Sequence, residues 1–81
     1  MNVTVLLFAS LADRAGTRRI EIGYEPGDTV RSVCERVMEA HPALLSFKPA
    51  LLYALNEEYV RPGDPVPPGA TLALIPPVSG G

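Results

Sequence analysis

The chain is short of the side chains that most metal and catalytic sites need. Its 81 residues include one cysteine (Cys34), one histidine (His41) and no tryptophan. A single cysteine excludes an intramolecular disulfide, and one cysteine with one histidine is too few for a thiolate cluster or a typical structural zinc site. We therefore expect no metal site.

Basic residues and long apolar runs are also scarce. Lys and Arg number 7 against 9 Asp and Glu, and the net charge is -2. This composition argues against an electrostatic nucleic-acid-binding protein. No apolar run approaches the roughly 18–20 residues of a membrane span, and the N-terminus lacks the layout of a signal peptide. We expect one soluble, cytoplasmic domain that binds neither nucleic acid nor membrane.

Apolar residues are abundant, at 47%, and their spacing predicts one helix and several strands. The helix runs from Val30 to about Ala40, with apolar residues at i, i+3, i+4, i+7 and i+8. Asp28 or Thr29 is its predicted N-cap, and Pro42 ends it. Residues 11–17 are predicted to form a turn, 43–50 a connection and 61–70 an irregular loop. The predicted strands are residues 2–10, 18–24, 51–56, 59–60 and 71–75.

This order predicts an α+β roll, a mixed sheet of four or five strands wrapped around one main helix. One helix can cover one face of the sheet, yet both faces of the strands carry apolar residues. Period-two alternation assigns the helix-facing side to Val3, Val5, Leu52, Ala54, Leu72 and Leu74. The opposite set is then exposed and predicts a partner interface formed by Leu6, Phe8, Tyr53, Leu55 and Ile75. A sheet of different register, with that set in the core, is the alternative.

The chain ends in a segment suited to leaving the fold. We expect residues 1–75 to form the domain and residues 76–81 a flexible tail whose proline pair keeps its base extended. Six residues reach about 20 Å at roughly 3.1–3.4 Å each. Because glycine has no Cβ, the last two residues could thread a narrow channel with the terminal carbonyl unhindered. The predicted tail residues are Pro76, Pro77, Val78, Ser79, Gly80 and Gly81.

The element order, with EPGDTV (residues 25–30) entering the helix, resembles a β-grasp domain of the ubiquitin-like superfamily. The ending, residues 75–81, is similar to that of MoaD-type sulfur carriers, the small subunits of molybdopterin synthase. Leu74 and Ile75 depart from the pair of aromatic residues that this family carries before its prolines. Other positions that fit the family are Phe8, Ala9, Asn56 and Gly69.

The resemblance implies a co-substrate and subunit rather than a complete enzyme. A ubiquitin-activating-type enzyme of the MoeB type would use ATP to adenylate Gly81, and sulfur from a desulfurase would convert it to a thiocarboxylate. A MoaE-type large subunit would supply the acid–base groups and transfer the sulfur to cyclic pyranopterin monophosphate, in molybdenum cofactor biosynthesis. The implied assembly has two small and two large subunits, and the chain itself binds no cofactor tightly.

Three other functions stay open. The chain could carry sulfur for thiamine synthesis or tRNA thiolation, act as a ubiquitin-like modifier joined to lysines through Gly81, or be a non-catalytic binding module. The remaining reactive side chains are expected to be structural: Cys34 a buried hydrophobe, His41 a helix-terminal residue and Lys48 a solvated loop residue. Cys34 has no basic neighbour in sequence to lower its pKa, so a thiol relay is not expected.

Overall fold

A five-stranded mixed sheet packs on one main helix in the computed structural model, which describes residues 1–77. The strand order is β2-β1-β5-β3-β4, with β1 and β5 parallel at the centre and the other neighbours antiparallel. The predicted α+β roll is confirmed. The strands are β1 (Asn2–Leu7), β2 (Arg19–Gly23), β3 (Leu52–Leu55), β4 (Glu58–Val60) and β5 (Thr71–Ile75).

Two segments that were predicted to lack a helix form short ones. α1 (Ser10–Ala15) occupies most of the predicted turn of residues 11–17 and takes Ser10 from the predicted first strand. A 3-10 helix occupies Pro42–Ala50. α1 stops at Gly16, whose positive φ of 77° is the left-handed conformation that glycine adopts readily. Leu11 and Leu44 are fully buried. Packing of these leucines, which periodicity over so few residues does not reveal, stabilises helices too short to form alone.

The main helix, α2 (Val30–Ala40), has the predicted bounds. Thr29 is its N-cap and forms a reciprocal pair with Ser32. The Ser32 N–H donates to Thr29 Oγ1 at 3.2 Å, and the Thr29 N–H donates to Ser32 Oγ at 2.9 Å. Two of the backbone donors that every helix start leaves without an intrahelical acceptor are thereby paired.

Asp28, the other candidate cap, holds the start of α2 to the end of β2. Its carboxylate is 6% exposed and accepts from Arg36 Nη1 and Nη2 at 2.8 and 2.6 Å. The Glu25 N–H and the Ser32 hydroxyl donate to the same carboxylate, and Arg36 also donates to the Gly23 carbonyl at 2.9 Å. These interactions, of which the hydrogen bond from Arg36 has the largest effect, hold the pKa of Asp28 well below its usual range. Burial acts in the opposite direction but is outweighed.

The loop of residues 61–70 is irregular but firmly attached to the helix start. The Val30 and Arg31 N–H groups donate to the carbonyls of Asp64 and Pro62 at 3.0 and 2.8 Å. Val66 is buried. The loop thus satisfies helix donors that would otherwise need water.

The core lies between α2 and the helix-facing side of the sheet. The largest fully buried side chains are Leu11, Leu44, Leu72, Leu74, Val3, Val5, Val30, Val33, Val37 and Cys34.

No helix within residues 1–77 is long and apolar enough to cross a membrane.

The buried Asp28–Arg36 pair predicts a loss of stability in acid. Since the folded-state pKa of Asp28 lies below the value of about 3.9 for an unfolded chain, its stabilisation is complete above about pH 5 and is lost as the pH falls through and below about 4. We expect Asp28→Asn to lower the free energy of unfolding by about 2 kcal/mol at pH 7 and to flatten this acid dependence. Urea unfolding from pH 7 to pH 2.5 measures both effects.

Glu25→Gln is the matched control. The Glu25 carboxylate lies 3.8 Å from Arg36 Nε but its side chain is 69% exposed, so its removal should change stability by less than about 0.5 kcal/mol. Equal effects of the two substitutions would contradict the role assigned to Asp28.

Candidate functional site

The side of the sheet that points away from α2, here called the outer face, carries a continuous apolar strip. Its members follow from the register, because directly paired residues point to the same side. Leu6 lies beside Ala73, and Ala73 lies opposite Ala54. The apolar and aromatic residues of the outer face are Leu6, Phe8, Leu52, Ala54, Tyr59, Ala73 and Ile75.

A groove of about 540 Å³ runs along this strip. Phe8 is 46% exposed and Leu52 is 50% exposed. Exposed apolar side chains that lie together in this way are typical of a protein-binding surface. The groove is lined by Leu6, Phe8, Ala54, Asn56, Glu57, Thr71, Ala73 and Ile75.

Three of the five predicted interface residues, Leu6, Phe8 and Ile75, lie on the outer face, and none of them belongs to the buried core. That they bind a partner stays a prediction. The placement of the other two is wrong. Tyr53 pairs with the buried Leu74 and is 8% exposed, so it lies on the helix-facing side. Leu55 is partly buried against the core on the same side.

Leu52 and Ala54 take the places predicted for these two residues. They were missed because residues 51–55 are apolar or aromatic throughout, so alternation does not reveal which side faces the helix. The antiparallel pairing of β3 with β5, in which Leu52 lies opposite Ile75, decides it. Only the register, and no local signal in β3, could have placed these side chains.

The tail begins at one end of the outer face. β1 and β5 are parallel, so the end of β5 at Ile75 lies on the same sheet edge as Phe8. Pro76 is buried and Pro77 is exposed. Pro76 is therefore packed against the domain, and Pro77 is the first exposed residue after β5. The other predicted tail residues, Val78, Ser79, Gly80 and Gly81, lie outside the described residues, and their roles stay predictions.

Two acidic residues lie beside the outer face, one at each edge, and they differ in their interactions. On β2, Glu21 accepts from Arg19 Nε at 3.1 Å and from the Thr4 hydroxyl at 3.0 Å. On the other side, Glu57 lines the groove in the turn between β3 and β4. No ion pair among residues 1–77 includes Glu57.

Cys34 has the structural role that the sequence predicts. Its side chain is 1% exposed, and its Sγ lies 4.0 Å from the Tyr53 hydroxyl. Burial raises the pKa of the Cys34 thiol. Burial, and to a smaller extent the neighbouring Cys34, raise the pKa of Tyr53 to about 12. A thiol that is both inaccessible and protonated is a poor nucleophile. Within residues 1–77, no three His, Cys, Asp or Glu side chains are grouped so that they could hold a metal ion.

The sheet order, the single main helix and the parallel central strands define a ubiquitin-like β-grasp protein. The chain belongs to the ThiS family, whose model matches residues 5–81.

Individual relatives cover the whole chain. A protein of Chlamydomonas reinhardtii named molybdopterin synthase sulfur carrier subunit is 37% identical over 83 residues, with 100% of both chains covered. SAMP1 from Haloferax volcanii has a similar structure, with a TM-score of 0.90, 32% identity and 100% of both chains covered. A structure from Helicobacter pylori, described as a complex of subunits 1 and 2 of molybdopterin-converting factor, has a TM-score of 0.71 at 21% identity with full coverage. At that identity, the last likeness shows the fold alone.

The burial of Cys34 predicts a slow reaction with thiol reagents. We expect the native protein to react with an aromatic disulfide reagent far more slowly than the same protein unfolded in guanidinium chloride, because the thiol must first be exposed. Cys34→Ala should lower the free energy of unfolding by about 1 kcal/mol and leave the tail chemistry unchanged. Rapid labelling of the native protein would contradict this assignment.

Proposed function

We propose that this protein is the sulfur-carrier subunit of a molybdopterin synthase. The observation that carries the proposal is the position of the apolar outer face at the base of a tail that ends in Gly80-Gly81. A protein that binds this face would receive the tail next to its own surface. The full-length similarity to a protein named as such a carrier supports the same function.

The chemistry of the tail requires other proteins. A terminal carboxylate has a pKa of about 3.3–3.7, so it is ionised at neutral pH and is a poor electrophile. In the proposed sequence, a Gly81 carboxylate oxygen bonds to the α-phosphorus of ATP and pyrophosphate leaves. The persulfide sulfur of the donor then attacks the terminal carbon, the carbon–oxygen bond to AMP breaks and AMP leaves. A thiol next reduces the resulting acyl disulfide, which leaves the thiocarboxylate on Gly81 and a disulfide on the donor.

The partners in this proposal bind the outer face in turn. An ATP-using activating enzyme of the MoeB type loads the tail, and a desulfurase supplies the sulfur. The MoaE-type large subunit then takes the tail into its active site, within an assembly of two small and two large subunits. It contributes the acid–base groups, and this chain acts as co-substrate. Because Pro76 is buried, the tail starts from a fixed point relative to the outer face.

A second function is supported by one observation, the similarity to SAMP1 from Haloferax volcanii and to a protein of that organism named small archaeal modifier protein 1. A modifier would use the same activated Gly81 to acylate lysines of other proteins. Covalent conjugates that disappear when Gly81 is deleted would favour it. A carrier for thiamine or tRNA thiolation would form the thiocarboxylate without converting the pyranopterin precursor.

The proposed chemistry predicts a change in mass at the terminus. Incubation with the activating enzyme, ATP and a sulfur donor should increase the intact mass by the difference between one sulfur and one oxygen atom, and ATP omission should abolish the increase. Mass spectrometry of the C-terminal peptide should place it on Gly81.

Deletion of Gly81, or one alanine added after it, provides the control. Both variants should fold as the parent does and should fail to support conversion of the pyranopterin precursor. An unprocessed extended variant with full activity would contradict the proposal.

The outer face predicts which surface substitutions block assembly. Leu52→Asp places a charge in the apolar strip and should weaken binding to the large synthase subunit by about 30-fold, the effect of losing about 2 kcal/mol at a hot-spot residue. Its stability should change by no more than about 1 kcal/mol, because Leu52 is half exposed. Titration calorimetry measures the affinity.

Leu45→Asp is the matched control. Leu45 is 53% exposed, close to the value for Leu52, but lies on the 3-10 helix away from the outer face. It should leave the affinity unchanged. Equal losses for the two variants would mean that the outer face is not the binding surface.

A further inference from the structure

Backbone strain within residues 1–77 is concentrated around the outer face. Three non-glycine residues there have positive φ: Ala9 at 51°, Asn56 at 49° and Glu57 at 72°. Ala9 follows Phe8 at the tail end of the groove, and the other two line the groove at its far end. Strained residues persist where the surroundings enforce them, and they cluster at binding sites.

Glu57 is the least expected of the three. A two-residue hairpin turn with positive φ at both positions favours Asn followed by Gly. Asn56 fits the first position, but glutamate at the second has a Cβ that disfavours this conformation. The turn is held by Asn56, whose N–H donates to the Thr71 carbonyl at 2.8 Å and whose Oδ1 accepts from the Thr71 N–H at 3.0 Å. The strain is thus imposed at a position where glycine would remove it.

Glu57 also has a distinct position in the groove. It is the one charged residue among those that line the groove, and it lies near Thr71, at the opposite end of β5 from Ile75. Four residue steps of about 3.3 Å separate these ends by about 13 Å. Glu21, the carboxylate on the opposite side of the outer face, is already engaged by Arg19 and Thr4.

We infer that Glu57 is an orienting residue of the carrier, paired with a lysine or arginine that the large synthase subunit presents at the far end of the groove. The inference rests on the proposed function. Apolar contact is non-directional, so the strip alone does not fix how the partner is rotated on it. A charge pair about 13 Å from the tail base adds a second fixed point and directs the tail towards the active site.

The test compares two variants of equal net charge. Glu57→Gln keeps the shape of the side chain and removes its charge, and Glu58→Gln does the same one residue later. Glu58 pairs with Leu55 and so points to the other side of the sheet. In stopped-flow binding to the large subunit of the same organism, we expect Glu57→Gln to lower the association rate constant about two- to fivefold at low salt. Glu58→Gln should leave it unchanged, and the difference should vanish near about 1 M salt.

Glu57→Gly separates recognition from folding. It should slow association as Glu57→Gln does, and it should raise the melting temperature by about 4 °C because the backbone strain is relieved. A variant that is more stable yet binds more slowly is the result that a merely structural role would not produce. If the melting temperature did not increase, the backbone at Glu57 would not be strained, and the inference would be refuted.

Two results would overturn the inference and leave the proposed function intact. One is unchanged association of Glu57→Gln while Leu52→Asp abolishes binding. The other is equal slowing by Glu57→Gln and Glu58→Gln, which would show an effect of net charge alone. Failure of the unaltered protein to bind the large subunit would instead refute the proposed function, and the inference with it.

Discussion

The fold is governed by a mismatch: the central strands are apolar on both sides, and one main helix is available to cover them. α2 buries Val5 and Leu72, and the other side of the same strands presents Leu6 and Ala73 to solvent. Within residues 1–77, no second layer of helices or strands covers that side. The uncovered strip is therefore a consequence of the architecture. In the proposed function, a partner protein supplies the missing layer.

The parallel pairing of β1 with β5 then decides at which sheet edge β5 ends and the predicted tail begins. Parallel strands end at the same sheet edge, so the end of β5 lies beside Phe8, and Pro76 continues the helix-facing side after Leu74. An antiparallel neighbour would put the tail beside the start of β1 instead. In the proposed function, burial of Pro76 means that a partner on the outer face meets the start of the tail at a constant position.

The sequence predicted those parts of the molecule that local patterns determine. The 3.6-residue spacing of apolar residues predicted the correct bounds of α2. β-branched residues bounded by Pro and Gly predicted the strands. Long-range packing decided the rest. β3 is apolar on both sides, so only its register with β5 placed Leu52 outward and Tyr53 inward. The Asp28–Arg36 pair joins residues eight apart, one just before the start of α2 and one within it. The positive φ of Glu57 depends on the hydrogen bonds between Asn56 and Thr71. Local sequence preferences do not reveal these bonds.

In the proposed function, the terminus becomes an activated acyl group, and the positions of the sole thiol and the sole lysine fit this chemistry. An acyl-adenylate or thiocarboxylate is open to attack by any accessible thiol or amine. The sole thiol, Cys34, is 1% exposed and its pKa is raised by burial. The sole lysine, Lys48, is partly buried and lines the same cleft as Cys34, on the side of the sheet away from the outer face. Within the described part of the chain, these two groups thus lie away from the outer face, and in the proposed function neither competes with the partner proteins for the activated terminus.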